Sequence, residues 1–585
     1  MPQSIVIECA LHARALLRGL LYVCRRRTIG SRARQSTPFH LSVPSAELTA
    51  PSARADARAA WPALTARVTP GRLYLVMGAV ALAIAALSLL IPSTPSYDPW
   101  SWIVWGREIA HVDLQTTGGP TWKPLPVIFT TVFSLFGKAA PDLWLVVGRA
   151  GALMAVAMVF KMCMRLTRQL AMRGDEDDAR SSALGPGILA GLVAAFGLTF
   201  AGGFITSSAL GYSEGLMTAL VLIAVDRHLD GCHRQAFAVG FAAALDRPEI
   251  WLFWGPYGLW LFWKDPGARK LVIALFALIP ILWFLPEYWG SGHFFRGVTR
   301  AHTPRSNSAA FAKCPFCTEF AKHAWPTVPS RTKGVAILAG LAAAIGLWRA
   351  FRAGGRDALR TPRRQAMAGI AIAAALGFGW WVVISVMTQI GFSGNDRYLI
   401  LGAALVEIAG GVGFGWAAIE LSHWLSRRWR AGSGSGRLAS GVGTWAVAGA
   451  IGACFLLLPQ WIGGLVHIRK IHKALVYQAH LREDLTKAVA QVGGPARVLR
   501  CGSVMTEGFQ VPMVAWALGV HTLQIEAPPN GGPAPPAPNV IFRTRAQRNA
   551  TPLPMLSDWP NVHFQRVDHV RTFSVYSNCT GNVTL

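Results

Sequence analysis

Long apolar runs separated by short polar segments dominate the chain, and Leu73–Ile91 and Leu399–Leu421 are two of the clearest. A helix rises about 1.5 Å per residue, so about 20 apolar residues cross a hydrocarbon core of about 30 Å. Apolar segments at 72–92, 143–165, 184–205, 213–229, 235–247, 248–263, 270–285, 333–350, 367–391, 398–422 and 441–466 predict about eleven transmembrane helices. Two departures from this pattern carry information. Pro124–Gly137 is apolar but covers only about 21 Å as a helix, so it is expected to lie in or dip into the outer face rather than cross. The segments 235–247 and 248–263 are also short, and Asp246-Arg247-Pro248-Glu249 stands between them. Ionisable residues inside an apolar stretch are costly unless they line a wet cavity, and two half-length helices meeting at a polar break mark a membrane-embedded site. The rival is one long helix kinked at Pro248, which would reverse the parity of every earlier loop.

Composition supports the membrane reading. Of 585 residues, 52% are hydrophobic and only 15% charged, whereas a soluble domain carries about a quarter charged. That excludes a soluble enzyme, a fibrous protein and a disordered chain. The net charge is +27, from 56 Lys and Arg against 29 Asp and Glu. Such a surplus can signal nucleic-acid binding, but here the basic residues fall between spans, at Arg25–Arg34, Arg165–Arg173, Arg349–Arg364 and Arg427–Arg437. Cytoplasmic loops of membrane proteins carry this excess, so the bilayer is the expected partner and nucleic acid is not. Counting spans from those loops makes the chain a multi-pass cell-membrane protein with a cytoplasmic N-terminus. Residues 1–71 are expected to form a basic, largely disordered tail, and 72–466 the transmembrane domain with its first outer loop at 93–141.

Residues 467–585 have a different composition and are expected outside the membrane as a small α/β domain. Strands are predicted at Arg497–Gly502, Thr522–Ile525, Val540–Thr544, Val562–Val567 and Thr572–Tyr576, with a helix at Gln510–Leu518. A strand–helix–strand opening predicts a partly parallel sheet. The fold class is thus an all-α polytopic membrane protein with a small C-terminal extracytoplasmic α/β domain. Cys314-Pro-Phe-Cys317 is a single CxxC, for which a local disulfide is favoured over zinc if its loop faces an oxidising compartment. Cys501 and Cys579 can be a disulfide or two buried thiols.

Candidate chemistry gathers in the outer segments. Asp98, in Tyr97-Asp98-Pro99-Trp100-Ser101-Trp102, follows the end of the first span by seven residues. A carboxylate among Trp100, Trp102 and Trp105 is partly desolvated and suited to accept a hydroxyl proton. Lys123 opens the short apolar segment, where an ammonium can meet a lipid phosphate. Each has a plainer reading. Asp-Pro initiates turns, the tryptophans suit an interfacial aromatic belt, Lys123 can be a snorkelling anchor, and Glu214 can be a helix-start charge. Arg149 lies inside a span, where an unpaired guanidinium costs on the order of 3 kcal/mol, and can pair with Asp142 or Glu108. Arg397 can pair with Asp396 or Glu407.

The order of these motifs resembles the GT-C superfamily of membrane glycosyltransferases, especially the branch holding protein O-mannosyltransferases and the bacterial aminoarabinose transferase of lipid A. The resemblance rests on Asp98 after the first span, Lys123-Pro124 opening a short helix, Gly137, and Arg149 in a longer span. It continues with Glu214 in Tyr212-Ser213-Glu214-Gly215, the Gly/Ala-rich half-helix Gly240–Pro248, and Arg397-Tyr398. It implies a glycosyltransferase that uses a polyprenyl-phosphate sugar donor on the outer face and inverts the anomeric carbon. The acceptor hydroxyl would belong to a cell-envelope glycan or a secreted protein. On that resemblance Asp98 and Glu214 are the expected catalytic residues, and Lys123, Arg247, Arg397 and Tyr398 bind the donor phosphate. Trp100, Trp122, Arg149, Glu249 and Trp251 line the substrate cavity. Many relatives carry a second acid after the first, whereas Pro99 follows Asp98 here. That argues against a two-carboxylate metal site and leaves Asp98 as the lone base; no cofactor is assigned and a divalent metal stays open. The rival functions are a transporter or flippase of lipid-linked sugars and a non-catalytic membrane assembly factor.

Overall fold

The computed structural model describes residues 70–172, 176–304, 308–430, 441–529 and 534–579. The N-terminal tail expected over 1–71 therefore lies, except for its last two residues, outside the described part. Helix α1 (Pro70–Leu87) is followed by two short helices, α2 (Tyr97–Ala110) and α3 (Pro124–Ser134), then by α4 (Ala140–Ala171) and α5 (Glu176–Thr199). A short α6 (Phe204–Ala209) leads into α7 (Glu214–Leu229), the pair α8 (His233–Ala244) and α9 (Trp251–Lys264), and α10 (Arg269–Ser291), with α11 (Arg296–Ala301) beyond it. The long helices α12 (Ser330–Gly354), α13 (Pro362–Gln389), α14 (Ile400–Arg430) and α15 (Gly441–Gln491) follow. Each predicted apolar segment thus coincides with a helix. Six of the described helices are long and apolar enough to cross a membrane: Gly71–Leu90, Gly137–Ala171, Pro266–Ser291, Ser330–Gly354, Pro362–Gln389 and Asp396–Trp424. The chain is a multi-pass membrane protein.

Small residues set the close contacts that place the site. A Cβ on Gly215 would stand 2.8 Å from the Ala152 backbone, and one on Gly151 would stand 2.6 Å from that of Leu216. Glycine at both positions lets α4 and α7 approach backbone to backbone, as small residues do between membrane helices. The start of α7, with Glu214, is thereby pinned against α4.

Helices α8 and α9 form a hairpin rather than one kinked helix. At 12 and 14 residues they reach about 18 and 21 Å, short of a hydrocarbon core of about 30 Å. Phe237 and Trp254 stack at 4.6 Å with ring planes 2° apart, and the Trp254 indole donates to the Phe237 carbonyl at 2.9 Å. Pro248 forces the preceding Arg247 into extended backbone (φ −145°, ψ 130°), which ends α8 and turns the chain. Lys123 before Pro124 adopts the same geometry, φ −139° and ψ 109°. Both basic residues therefore sit just ahead of a helix start.

After α15 the chain forms α16 (Pro495–Cys501), β1 (Val504–Thr506), α17 (Val511–Leu518), β2 (Ile525–Glu526), β3 (Val540–Arg543), β4 (Gln565–His569) and β5 (Ser574–Ser577). The sheet order is β2-β1-β3-β5-β4, with β1 parallel to β2 and β3 and the remaining pairs antiparallel. The partly parallel sheet matches expectation, but the strand expected at Arg497–Gly502 is the helix α16. Pro495 there presets the first helical turn, and the true strand is the three-residue Val504–Thr506, buried throughout and too short to show alternation. Thr522–Gln524 is likewise a 3-10 turn, leaving a two-residue strand. Cys314–Cys317 and Cys501–Cys579 are both disulfides.

The sheet region shares a core with the segment after α1. Trp100, Trp102, Trp105 and Trp144 pack with Val514, Leu518, Val540, Phe542 and Phe573. Around this core Arg107 donates to the Val520 carbonyl at 2.6 Å, His521 meets Glu108 at 2.9 Å, and Arg482 grips both oxygens of Asp142 at 2.6 and 3.1 Å. On the far side, Asp484 of α15 accepts from Arg571 at 3.0 and 3.1 Å and from the Thr572 hydroxyl at 2.8 Å. Burial alone would raise the Asp484 carboxyl, but Arg571 and Thr572 hold it below the usual carboxylate range. A depressed folded-state pKa stabilises the fold above the unfolded value of about 4, and that contribution disappears as pH falls through the folded value. We expect Asp484→Asn to cost about 1–3 kcal/mol at pH 7, read as earlier protease release of the sheet region. The difference from wild type should narrow on acidification, and a gap that persists at low pH would refute the ionic account.

Candidate active site

Three cations converge on one buried carboxylate oxygen. Glu214 is the first residue of α7, and its Oε1 lies 3.4 Å from Lys123 Nζ, 3.1 Å from Arg247 Nη1 and 3.3 Å from Arg397 Nε. Each cation has a second anchor. Lys123 donates to the Ser213 hydroxyl at 3.1 Å, Arg247 grips Glu249 at 2.7 and 3.2 Å, and Arg397 meets Asp98 at 2.5 Å. Aromatic faces hold the guanidinium groups flat: Arg247 lies 3.8 Å from the Tyr398 ring centre and Arg397 lies 4.0 Å from that of Tyr212. Tyr212 is itself hydrogen-bonded to Ser96 at 3.0 Å, tying α7 to the start of α2.

These groups border a cavity of about 550 Å3. Its polar wall is Asp98, Lys123, Asp246, Arg247, Glu249 and Arg397, and its apolar wall includes Trp122, Trp251, Trp283 and Ile384. The contributing elements include the starts of α2, α3 and α14, the break between α8 and α9, the ends of α10 and α13, and α11. All lie at one end of the bundle. The opposite end carries Arg165, Arg227 and Asp230 in one ion-pair cluster, Arg234 with Asp265, and Arg363 with Glu420.

Most of the expected site residues meet here, and the plainer readings separate. Asp98 lies in the first helical turn of α2 rather than in a free turn, at an end where the helix dipole favours an anion. Lys123 is 7% exposed and ion-paired, so it is no snorkelling anchor. Arg397 pairs with Asp98 and Glu214, across 299 residues in the first case, instead of with its neighbour Asp396 or with Glu407. Trp122 lines the cavity, fixed by its bond to the Leu282 carbonyl at 3.0 Å, and Trp251 bonds the Ala244 carbonyl at 3.0 Å.

Three expected positions differ. Glu214 does not face the cavity but sits behind the cations, 1% exposed. Trp100 is buried in the shared core against Trp516 at 6.3 Å, because α2 turns that face towards α17. Trp100, Trp102 and Trp105 are all at most 3% exposed, so they form no lipid-facing belt. Arg149 is a strut away from the cavity. It donates to the Ala209 carbonyl at 2.8 Å, to Ser88 Oγ at 2.7 Å and to Ser93 Oγ at 2.8 Å, while Asp142 goes to Arg482 and Glu108 to His521.

Sequence reasoning missed several cavity residues. Tyr212 sits two positions before Glu214, and Asp246 beside Arg247, so adjacency to a recognised motif was their signal. Glu287, in the last turns of a long apolar helix, and Arg300, beyond that helix, had none, since no pattern of their own marks them. Arg296 lies 3.7 Å from Glu287 and donates to the carbonyls of Thr117, Gly118, Gly119 and Pro120, at 2.5 to 3.1 Å. Arg300 adds a bond to Gly119 at 3.1 Å. Together they fix the loop that forms one wall. Among the described residues no three His, Cys, Asp or Glu side chains converge as a metal site.

No family profile and no curated protein sequence matches this chain. Solved structures similar to it include two of ArnT from Cupriavidus metallidurans. The one bound to undecaprenyl phosphate has a TM-score of 0.43 at 14% identity, covering 88% of this chain and 99% of that one. The apo one has a TM-score of 0.42 at 14% identity, covering 87% and 98%.

Glu214 is the counter-charge for three largely buried cations, and removing one partner of such a cluster costs about 3–5 kcal/mol. We expect Glu214→Ala to lower the thermal midpoint of the purified protein in detergent clearly, with Glu214→Asp intermediate. A midpoint equal to wild type would show that the cations do not depend on this carboxylate.

Proposed function

We propose that the cavity transfers a sugar from a polyprenyl-phosphate donor to an acceptor hydroxyl on the outer face of a cell membrane, with inversion at the anomeric carbon. The observation that carries this reading is the presence, in one chamber with an apolar wall, of a partly buried carboxylate and three clustered cations. A sugar attached to a lipid phosphate needs that combination. Lys123 uses two of its three N–H donors on Ser213 and Glu214, and Arg247 uses three of its five on Glu214 and Glu249. The remaining donors can meet phosphate oxygens, and the apolar wall suits the first prenyl units.

In the reaction the acceptor oxygen attacks the anomeric carbon while the bond from that carbon to the phosphate oxygen breaks. The bonding electrons leave with polyprenyl phosphate. Asp98 accepts the hydroxyl proton, its carboxylate aimed by the hydrogen bond from Arg397. Lys123, Arg247 and Arg397 offset the charge developing on the leaving phosphate. Tyr398 supports Arg247 through its ring, and Glu214 acts from behind as a positioning residue. Cell-envelope glycans and secreted proteins are the acceptor classes in view.

For topology we propose the eleven-span arrangement, with the hairpin α8–α9 entering and leaving on the same side. The end rich in Arg165, Arg227, Arg234 and Arg363 is then cytoplasmic, and the cavity and sheet region are extracytoplasmic. A non-catalytic assembly factor would not need Asp98, Lys123 and Glu214 in one network. The bonds through Arg397 and Glu214 favour catalysis.

The test uses membranes supplied with a radiolabelled polyprenyl-phosphate sugar. Asp98→Asn should reduce transfer at least about 100-fold, the scale of a lost general base, and full retained activity would remove this base. Lys123→Ala should raise the donor KM more than it lowers kcat. A KM unchanged by that substitution would remove Lys123 from the phosphate site.

A further inference from the structure

A second cavity, of about 700 Å3, lies between the Gly118–Gly119 loop and the sheet region. That size is within the range of about 300–1,000 Å3 of small-molecule sites. On the sheet side its lining comes directly after two parallel strands. Glu507 and Gly508 follow β1, and Ala527, Pro528 and Pro529 follow β2. The crevice therefore lies at the carboxyl ends of the parallel neighbours β1 and β2. Open α/β sheets bind ligands there.

The second cavity adjoins the first. Tyr97 and Arg300 line both, and Phe509, beyond β1, reaches the donor cavity and meets Tyr97 edge-on at 6.4 Å. Tyr97 immediately precedes Asp98. Anything lying in the crevice would therefore end beside the carboxylate proposed as the base. The partition between the cavities is rigid on one side, because Arg296 and Arg300 hold the carbonyls of residues 117–120. It is close-fitting on the other: a Cβ on Gly118 would stand 2.8 Å from the Leu523 backbone nitrogen.

The lining also says what kind of molecule fits. Leu523 and Met555 are 52% and 42% exposed, and with Pro528 and Tyr97 they offer flat apolar surface. Glu507, Asp558 and Arg300 offer hydrogen-bonding groups of both signs among those surfaces. A pyranose or furanose presents the matching pattern, with apolar C–H faces and a rim of hydroxyls. A prenyl chain would displace water from these polar groups without offering hydrogen bonds in return, which is costly. From this placement and chemistry we infer that the crevice is the acceptor site and receives a glycan chain, delivering one hydroxyl past Tyr97 to Asp98. The inference rests on the glycosyltransferase reading and adds the acceptor class and its seat.

The test blocks the crevice without touching the donor cavity. Leu523→Arg with Met555→Arg alters two exposed side chains, so folding is expected to survive, checked by an unchanged thermal midpoint. Full-length protein in native membranes receives radiolabelled polyprenyl-phosphate sugar, and label is followed into envelope glycan, into protein, and into free sugar released by water. The double variant should lower label in glycan at least tenfold while release to water stays within twofold of wild type, and Leu523→Met with Met555→Leu should restore transfer. Transfer to glycan at the wild-type level would overturn the acceptor seat, and wild-type label that is removed by protease would overturn the glycan assignment. Failure of the underlying reading looks different: neither glycan labelling nor donor cleavage would then respond to Asp98→Asn.

Discussion

One carboxylate oxygen organises this protein. Three basic side chains from separate places in the chain approach Oε1 of Glu214, and its charge offsets their mutual repulsion in that enclosed place. Because like charges repel, the three heads can share a small volume only if an anion lies between them and each has a further anchor. Ser213, Glu249 and Asp98 supply those anchors. The cluster also binds α3, α7, the α8–α9 break and the start of α14 into one end of the bundle. Electrostatics and architecture are therefore the same constraint here.

The backbone makes this arrangement reachable. Proline after Lys123 and after Arg247 forces each basic residue into extended geometry just before a helix, so both side chains leave the helix axis at its positive end. A cation at a helix start is unfavourable in isolation, but for an incoming anion the two contributions have the same sign. Glycines at 151 and 215 bring α4 and α7 together closely enough to hold Glu214 behind the cations instead of within the cavity. The tryptophans of α2 then turn away and fasten this end to the sheet region.

Much of this could be read along the chain. Apolar length announces each helix, since a bilayer-sized run has few other uses, and every predicted apolar segment is helical. The polar break at Asp246–Glu249 marked the hairpin, and the motif order pointed to Asp98, Lys123, Arg247 and Arg397. Short strands were less legible: Val504–Thr506 is buried throughout and shows no alternation, and Arg497–Gly502 mimicked a strand although Pro495 starts a helix.

Sequence by itself determined the class, the helices and which polar residues stand among apolar ones, because those follow from local chemistry and length. Tertiary structure alone decided the partners. Asp98 and Arg397 are 299 residues apart, and nothing local distinguishes that pairing from Arg397 with Asp396. It alone put Trp100 in a core and made Arg149 a strut, since both depend on which face a helix turns to its neighbours. It also created the second cavity, whose walls come from α2, α11 and the ends of two strands. Patterns of period 2 or 3.6 report burial of a face but not what that face meets. The meeting is settled only when the whole chain has packed.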